Sequence, residues 1–342
     1  AQGVTCDGLD QRIESERSAI ADASAIIVST AEEADRQIGA YCQSAKRKIH
    51  VVPPGVPRLP MPVDKSQASV LLEAWFERPR LPIILAVSRP VTKKNLASLL
   101  MAYAQDATLQ RQANLVILAG QHGHATGEER ANIDQLFGLI EACGLGGRVA
   151  LPPAHDAHDV AALYAYAAQG GVFVNPALHE PFGLTLIEAA AFGTPVVATQ
   201  NGGPAEIVAA IGHGELIDPR DTRAISRSIR AIVGNAARHA VLSAKAHAGV
   251  RRYCWDSYAS ASIDIYRSVA RPQLLACDMD NTLTGCRDAA GAFRAWRSSS
   301  SMQFVVATGR SLHATKMILR RWQLPEPDAY IVDVGTRIVF PD

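Results

Sequence analysis

Two carboxylates, Glu180 and Glu188, are separated by seven residues in the stretch Asn175-Pro-Ala-Leu-His-Glu-Pro-Phe-Gly-Leu-Thr-Leu-Ile-Glu188. The apolar run before them reads as a strand over 171–174, and the residues after Gly183 read as a helix over 183–192. Glu180 then sits at the mouth of that helix and Glu188 projects from its second turn. The first N–H groups of a helix have no partner within it, so those of Gly183, Leu184 and Thr185 face outward where the dipole favours an anion. A strand–turn–helix of this kind can hold a diphosphate on its N–H groups. It can also offer one carboxylate to a sugar hydroxyl beside the phosphates and the other to a ribose. This is the layout of a nucleotide-sugar site.

Arg89 and Lys94 lie five positions apart in Ser88-Arg-Pro-Val-Thr-Lys-Lys-Asn95, in the turn after an apolar strand over 82–87. Both cations can address one phosphate group. Asn201-Gly202-Gly203-Pro204 follows another short apolar run, and its two glycines let backbone approach a sugar or a phosphate closely.

A second constellation begins at Asp278-Met-Asp280-Asn-Thr282, where a strand over 273–277 ends in two carboxylates. In such a strand–loop Asp278 can attack phosphorus and Asp280 can act as acid and base, with magnesium held between them and the substrate. Thr308, after a strand over 302–307, supplies a hydroxyl for the phosphate.

Strands and helices alternate from residue 81 to residue 234, and apolar strands of four to six residues between helices imply a parallel sheet covered on both faces. Ligands of such sheets lie off the carboxyl ends of the strands. Arg89, Glu180 and the Asn201-Gly-Gly turn all follow strands at that edge. Upstream, the pattern gives a helix over 10–22, a strand over 25–29, a helix over 31–43 and a strand running from His50 into a proline-rich linker over 53–62. A boundary is expected near Arg271-Pro272, which divides the chain into 1–48, 49–270 and 271–342.

The bulk numbers narrow the class. A chain of 342 residues with 48% hydrophobic and 20% charged content is an ordinary globular protein of roughly two domains. Its net charge of +1 gives no reason to expect a nucleic-acid or membrane partner. The six cysteines lie far apart without metal-ligand spacing, which reads as buried thiols in a reducing cytosol. No apolar run reaches the length of a membrane span, and no signal peptide stands out. The chain begins at Ala1, almost inside a helix, which reads as a trimmed or partial chain. None of this bears on oligomeric state or on the base of the nucleotide.

The motif from Pro176 to Glu188 and the Asn201–Pro204 turn resemble the retaining glycosyltransferases of the GT-B fold, and within them the sucrose-phosphate synthases. The likeness runs over nearly the whole chain and is sharpest between Arg89 and Pro204. It implies an α/β architecture: the GT-B C-terminal Rossmann-like domain, a remnant of the N-terminal domain and a partial haloacid dehalogenase-like domain. It also implies transfer of glucose from UDP-glucose, or another NDP-glucose, to fructose 6-phosphate, with the anomeric configuration retained and no cofactor for the transfer. The leaving phosphate itself would assist the incoming hydroxyl.

By that resemblance Arg89 and Lys94 hold the donor diphosphate, Glu180 the donor sugar, Glu188 the ribose hydroxyls, and His155 lies near the nucleobase. His122, His124 and His158 have no matching role. Arg12, in Arg-Ile-Glu-Ser-Glu16, falls where a sugar phosphate could be met. Asp278, Asp280, Thr308 and the Val334-Gly-Thr336 stretch resemble sucrose-phosphate phosphatases, with magnesium at Asp278 and Asp280. The lysine and later acidic pair of that family have no convincing match before Asp342, so this segment is expected to be inactive. Two alternatives stand beside the transferase reading. One is a non-catalytic nucleotide-sugar-binding fragment, because 1–48 is too short for a second Rossmann domain. The other is a sucrose-phosphate phosphatase.

Overall fold

The computed structural model describes residues 7–41, 43–56, 65–269 and 274–341. The expected boundary at Arg271-Pro272 and the second half of the proline-rich linker lie outside the described residues. The chain forms two compact units, Ala1–Ile263 and Asp264–Asp342.

The first unit is built on six parallel strands: β3 (Ile83–Val87), β4 (Asn114–Leu118), β5 (Val149–Ala150), β6 (Val172–Asn175), β7 (Val196–Thr199) and β8 (Gly214–Ile217). Their order across the sheet is β5-β4-β3-β6-β7-β8. Counted from β3, this is the 3-2-1-4-5-6 order of a doubly wound fold, whose direction of winding reverses between β3 and β6. The two strands pair in parallel with Ile84 opposite Val172 and Leu85 opposite Phe173. The helices that follow them, Leu96–Ala104 and Leu184–Ala191, pack in opposite cores of the sheet, and in such folds ligands lie at the carboxyl ends of the strands where the winding reverses.

The strands are apolar because both faces are covered. Alternate residues of β3 enter different cores: Ile83 and Leu85 pack with Phe173, Leu186 and Tyr164, whereas Ile84 and Ala86 pack with Leu99, Tyr103 and Ile225. Each of these is almost wholly buried. At about 25 cal/mol per Å² of apolar surface removed from water, each such large side chain contributes roughly 1.5–3 kcal/mol.

Two short parallel strands precede this sheet, β1 (Ile26–Val28) and β2 (Ile49–Val51), with the helix Asp7–Asp22 ahead of them. The turn after β1 is fastened to the main sheet's loops. The Glu206 carboxylate accepts hydrogen bonds from the N–H groups of Ala31 and Glu32 at 3.0 and 2.9 Å. Glu32 in turn lies 3.1 Å from the His179 ring.

The helix expected from Asn95 begins one residue later, at Leu96. Asn95 adopts a left-handed conformation (φ 57°), and its side-chain amide donates to the carbonyls of Pro176 and Pro219 at 2.9 and 2.8 Å. An asparagine tolerates that backbone because its short polar side chain finds local partners. Here those partners tie the loop after β3 to the loops after β6 and β8.

The second unit holds four strands in the order β12-β11-β10-β9. β9 (Leu274–Asp278), β10 (Gln303–Ala307) and β11 (Ala329–Val332) are parallel, and β12 (Arg337–Val339) runs antiparallel at the edge. Its core gathers Met279, Phe304, Val306, Leu319, Tyr330 and Val332.

Candidate functional site

Four loops meet at the carboxyl edge of the six-stranded sheet. The turn after β6 is closed against the turn after β7 by a short parallel bridge between Glu180 and Gly202. Glu180 donates its N–H to the Asn201 carbonyl at 3.1 Å, and its own carbonyl accepts from Gly203 at 3.0 Å. Such closeness requires glycine. Gly202 has φ 96°, and a Cβ there would collide with the Glu180 carbonyl oxygen. A Cβ on Gly203 would run into the backbone of Pro181 and Phe182. The Asn201 amide completes the joint by donating to the Leu178 carbonyl at 2.8 Å.

With its backbone thus fixed, Glu180 directs its carboxylate to Lys94 and Asn175. Its Oε2 lies 2.5 Å from Lys94 Nζ and accepts a second bond from the Asn175 amide at 3.0 Å. Lys94 is positioned by its own turn, in which the Lys93 carbonyl accepts from the Leu178 N–H at 2.9 Å. The ion pair is only 12–18% exposed. A hydrogen bond between charged groups of this kind is worth about 1.5–3 kcal/mol. Arg89, one turn earlier, is exposed; its carbonyl accepts from the Val91 N–H at 2.9 Å and the Ser88 hydroxyl at 3.3 Å, and its guanidinium makes no hydrogen bond or ion pair with a described residue.

The helix Leu184–Ala191 starts at Gly183, whose left-handed backbone (φ 105°) turns the chain into it. The N–H groups of Gly183, Leu184 and Thr185 find no acceptor among the described residues. Glu188, one turn in, accepts a bond from the Tyr164 hydroxyl at 3.1 Å. Burial holds the Glu188 carboxyl above its ordinary range, and the Tyr164 bond opposes that shift only partly. Burial and the neighbouring carboxylate push Tyr164 well above the usual tyrosine value.

His155 lies in the loop after β5, with its carbonyl accepting from Gln121 at 2.6 Å and its Nδ1 buried without a partner. His122 faces the same region from the loop after β4, edge-on to Phe137, with Nε2 likewise buried and unpaired. Burial depresses both imidazoles and favours their neutral form.

The structure thus brings Arg89, Lys94, Glu180, Gly183, Leu184, Thr185, Gly202 and Gly203 to one sheet edge, with Glu188 buried just inside the helix. Arg12 does not join them by any described contact. It lies on the exposed face of its helix, paired with Glu16 at 3.0 Å. Asn175, Asn95, Tyr164 and His122 were not expected from sequence. Asn175 and Asn95 border the motifs and could have been noticed as local hydrogen-bonding groups. Tyr164 and His122 carry no sequence signal, because only the fold places them against Glu188 and beside His155.

In the second unit Asp278, Asp280 and Thr308 stand at the carboxyl ends of the parallel strands β9 and β10. The Asp278 carboxylate makes no hydrogen bond or ion pair with a described residue. Asp280 is held by Arg310, whose Nε lies 3.2 and 2.9 Å from the two carboxylate oxygens and whose Nη2 lies 2.9 Å from the first. The pair is nearly half exposed, a setting in which ion pairs contribute about 0–1 kcal/mol. Both Asp280 oxygens are engaged by a guanidinium, and among the described residues no three His, Cys, Asp or Glu side chains could share a metal ion.

A doubly wound sheet here carries cations, a helix N-terminus and two carboxylates at its switch point, the place where folds of this kind hold ligands, and comparison with known proteins shows the family. Residues 72–248 match the family of glycosyl transferases group 1, and the chain belongs to that family. Residues 271–342 match sucrose-6F-phosphate phosphohydrolase. Sucrose-phosphate synthase 4 of Arabidopsis thaliana is 33% identical over 300 residues, covering 72% of this chain. Probable sucrose-phosphate synthase 5 of Oryza sativa subsp. japonica is 39% identical over 188 residues, covering 54%. The chain spans only 28% and 18% of the lengths of these two relatives. Among solved structures, sucrose-phosphate synthase of Thermosynechococcus elongatus superposes with a TM-score of 0.61 at 28% identity, over 78% of this chain and 64% of that one. HepE of Anabaena, solved with UDP and glucose, shares the fold with a TM-score of 0.61 at 21% identity, over 75% of this chain and 68% of that one. Among the described residues no helix is long and apolar enough to cross a membrane.

Proposed function

We propose that the crevice between β3 and β6 binds a nucleoside diphosphate sugar, and that the chain carries the donor half of a sucrose-phosphate synthase. The reaction is retaining transfer of glucose from UDP-glucose, or another NDP-glucose, to fructose 6-phosphate, giving sucrose 6-phosphate. The observation that carries this reading is the Lys94–Glu180 pair. It places a cation and a sugar-facing carboxylate 2.5 Å apart beside the free N–H groups of Gly183–Thr185. Arg89 and Lys94 then stabilise the charge that grows on the diphosphate as the sugar bond breaks. Preorganised groups of this type supply about 2–4 kcal/mol each. Glu188 takes the ribose hydroxyls and His155 lines the base. The relatives named above support fructose 6-phosphate as the acceptor. Cys143, Cys254, Cys277 and Cys286 are free, which supports a reducing cytoplasmic setting.

Titration calorimetry with UDP and ADP tests the donor site, and the two ligands distinguish the base. Binding of either in the micromolar to millimolar range is the expected result. No heat from a folded sample at millimolar nucleotide would sink the reading. A coupled assay with UDP-glucose and fructose 6-phosphate tests the transfer itself.

A further inference from the structure

We infer that Glu206 and the Glu32–His179 pair are positioning residues that seat the turn after β1 on the sugar end of the donor site. With the turn in place the sugar is held more tightly, and the nucleotide is not. This deepens the nucleotide-sugar reading and rests on it.

The turn is braced from within. The Glu33 carboxylate accepts from the Ser29 N–H and hydroxyl at 2.8 and 2.6 Å. The hydroxyl of Thr30, a buried residue, accepts from the Glu33 N–H at 3.0 Å. These bonds shape the chain but leave the N–H groups of Ala31 and Glu32, ahead of the helical turn Glu33–Ile38, without a partner inside it. Glu206 supplies both acceptors from 175 and 174 positions away, one carboxylate oxygen to each N–H. Hydrogen bonds to an ionised acceptor are about twice as strong as neutral ones, so this carboxylate is a firm anchor.

Both anchors on the other side belong to the joint between the turns after β6 and β7. Glu206 lies in the first turn of the helix Gly203–Ile211, which opens with the glycine that bonds the Glu180 carbonyl. His179 immediately precedes Glu180, and its Nε2 lies 3.1 Å from Glu32 Oε1. A Cβ on Gly202 would stand 3.3 Å from that same Nε2, so the ring packs against the Glu180–Gly202 bridge. The second Glu32 oxygen is buried with no hydrogen-bond partner among the described residues. Leaving a buried acceptor unpaired is unfavourable, and the docked turn bears that cost because His179 and Glu206 hold it in place.

The arrangement separates the two ends of the donor. The Arg89 and Lys94 side chains and the N–H groups of Gly183–Thr185, which meet the diphosphate, make no hydrogen bond or ion pair with this turn among the described residues. Glu180, Gly202 and Gly203, which approach the sugar, are flanked by His179 and Glu206. When the turn is released, both residues lose their partners, the Glu180–Gly202 bridge loosens, and Glu180 is no longer held for a sugar hydroxyl. The phosphate contacts persist. Coupling of this kind is reciprocal, so a bound sugar holds the turn as firmly as the turn holds the sugar site.

Calorimetry of the whole chain with UDP-glucose and with UDP tests this, together with hydrogen exchange of the Ala31 and Glu32 amides followed by nitrogen-15 NMR. Glu206→Ala should weaken UDP-glucose by about fivefold or more and UDP by less than about twofold. Unchanged UDP binding also shows that the variant is folded. In the parent, saturating UDP-glucose should slow exchange of the two amides by a similar factor, whereas UDP leaves them as they were. Glu206→Gln, which keeps an acceptor, should fall between parent and alanine variant. His179→Leu should act in the same direction, and its effect should not add to that of Glu206→Ala, because both release one turn. Equal weakening of the two ligands, unchanged UDP-glucose binding, or exchange indifferent to the sugar would overturn the inference and leave the nucleotide-sugar reading standing. A folded parent that binds neither ligand would overturn both.

Discussion

Lys94 Nζ lies 2.5 Å from Glu180 Oε2 across 86 positions of sequence, and the pair is mostly buried. The two residues follow β3 and β6, the neighbouring strands between which the winding reverses. Their meeting is therefore a product of strand order. It also means that Lys94 is already neutralised before any phosphate arrives, so a donor diphosphate must share it with Glu180.

That sharing predicts strong coupling. Lys94→Met leaves the Glu180 carboxylate with only the Asn175 amide, and an under-compensated buried charge is costly. Chemical denaturation of Lys94→Met, Glu180→Gln and the double variant should give an interaction energy of about 1–3 kcal/mol. Additive effects within about 0.5 kcal/mol would show that the contact contributes nothing.

Arg89 should behave in the opposite way. It is exposed and its guanidinium makes no hydrogen bond or ion pair with a described residue, so Arg89→Ala should change stability by no more than about 0.5 kcal/mol. Its loss should nevertheless weaken UDP or ADP by about tenfold or more, the worth of one charged hydrogen bond. Binding of the corresponding nucleoside should be unaffected, because the guanidinium meets only phosphate. Equal losses for nucleotide and nucleoside in calorimetry would contradict that assignment.

Glu188 trades stability for binding. Burial raises its carboxyl above the unfolded value, so the protonated form is favoured in the fold. That contribution is fully present below the unfolded pKa of about 4.3 and is lost as pH rises through the raised folded value. Glu188→Gln keeps an acceptor for the Tyr164 hydroxyl and carries no charge. Its melting temperature should match the parent near pH 4 and exceed it at pH 7–8, while nucleotide affinity falls. A gap in melting temperature that is constant with pH would refute the desolvation account.

Gly202→Ala tests the joint between the two turns. The backbone sits at φ 96° and the added methyl would collide with the Glu180 carbonyl, so the Glu180–Gly202 bridge must open. The expected cost is about 2 kcal/mol or more, together with loss of nucleotide-sugar binding. A variant that melts with the parent and binds UDP-glucose normally would show that the close approach is dispensable.

The sequence by itself determined the doubly wound α/β class, the strand–turn–helix around Glu180, and the run of motifs at one sheet edge. It could do so because each rests on local chemistry: apolar runs of strand length, glycines where backbone must come close, and helix starts with unpaired N–H groups. Only the tertiary structure decided what those residues touch. Strand order brought Lys94 to Glu180, and packing of the helix Ala157–Ala167 set Tyr164 on Glu188. Asn95 left the helix expected of it because its amide found two carbonyls in distant loops. In the second unit the sequence marked Asp280 as an acid–base and metal residue, yet the fold put Arg310 on it. Spacing along a chain fixes which groups can share a turn, whereas pairing between turns depends on how the strands beneath them are ordered.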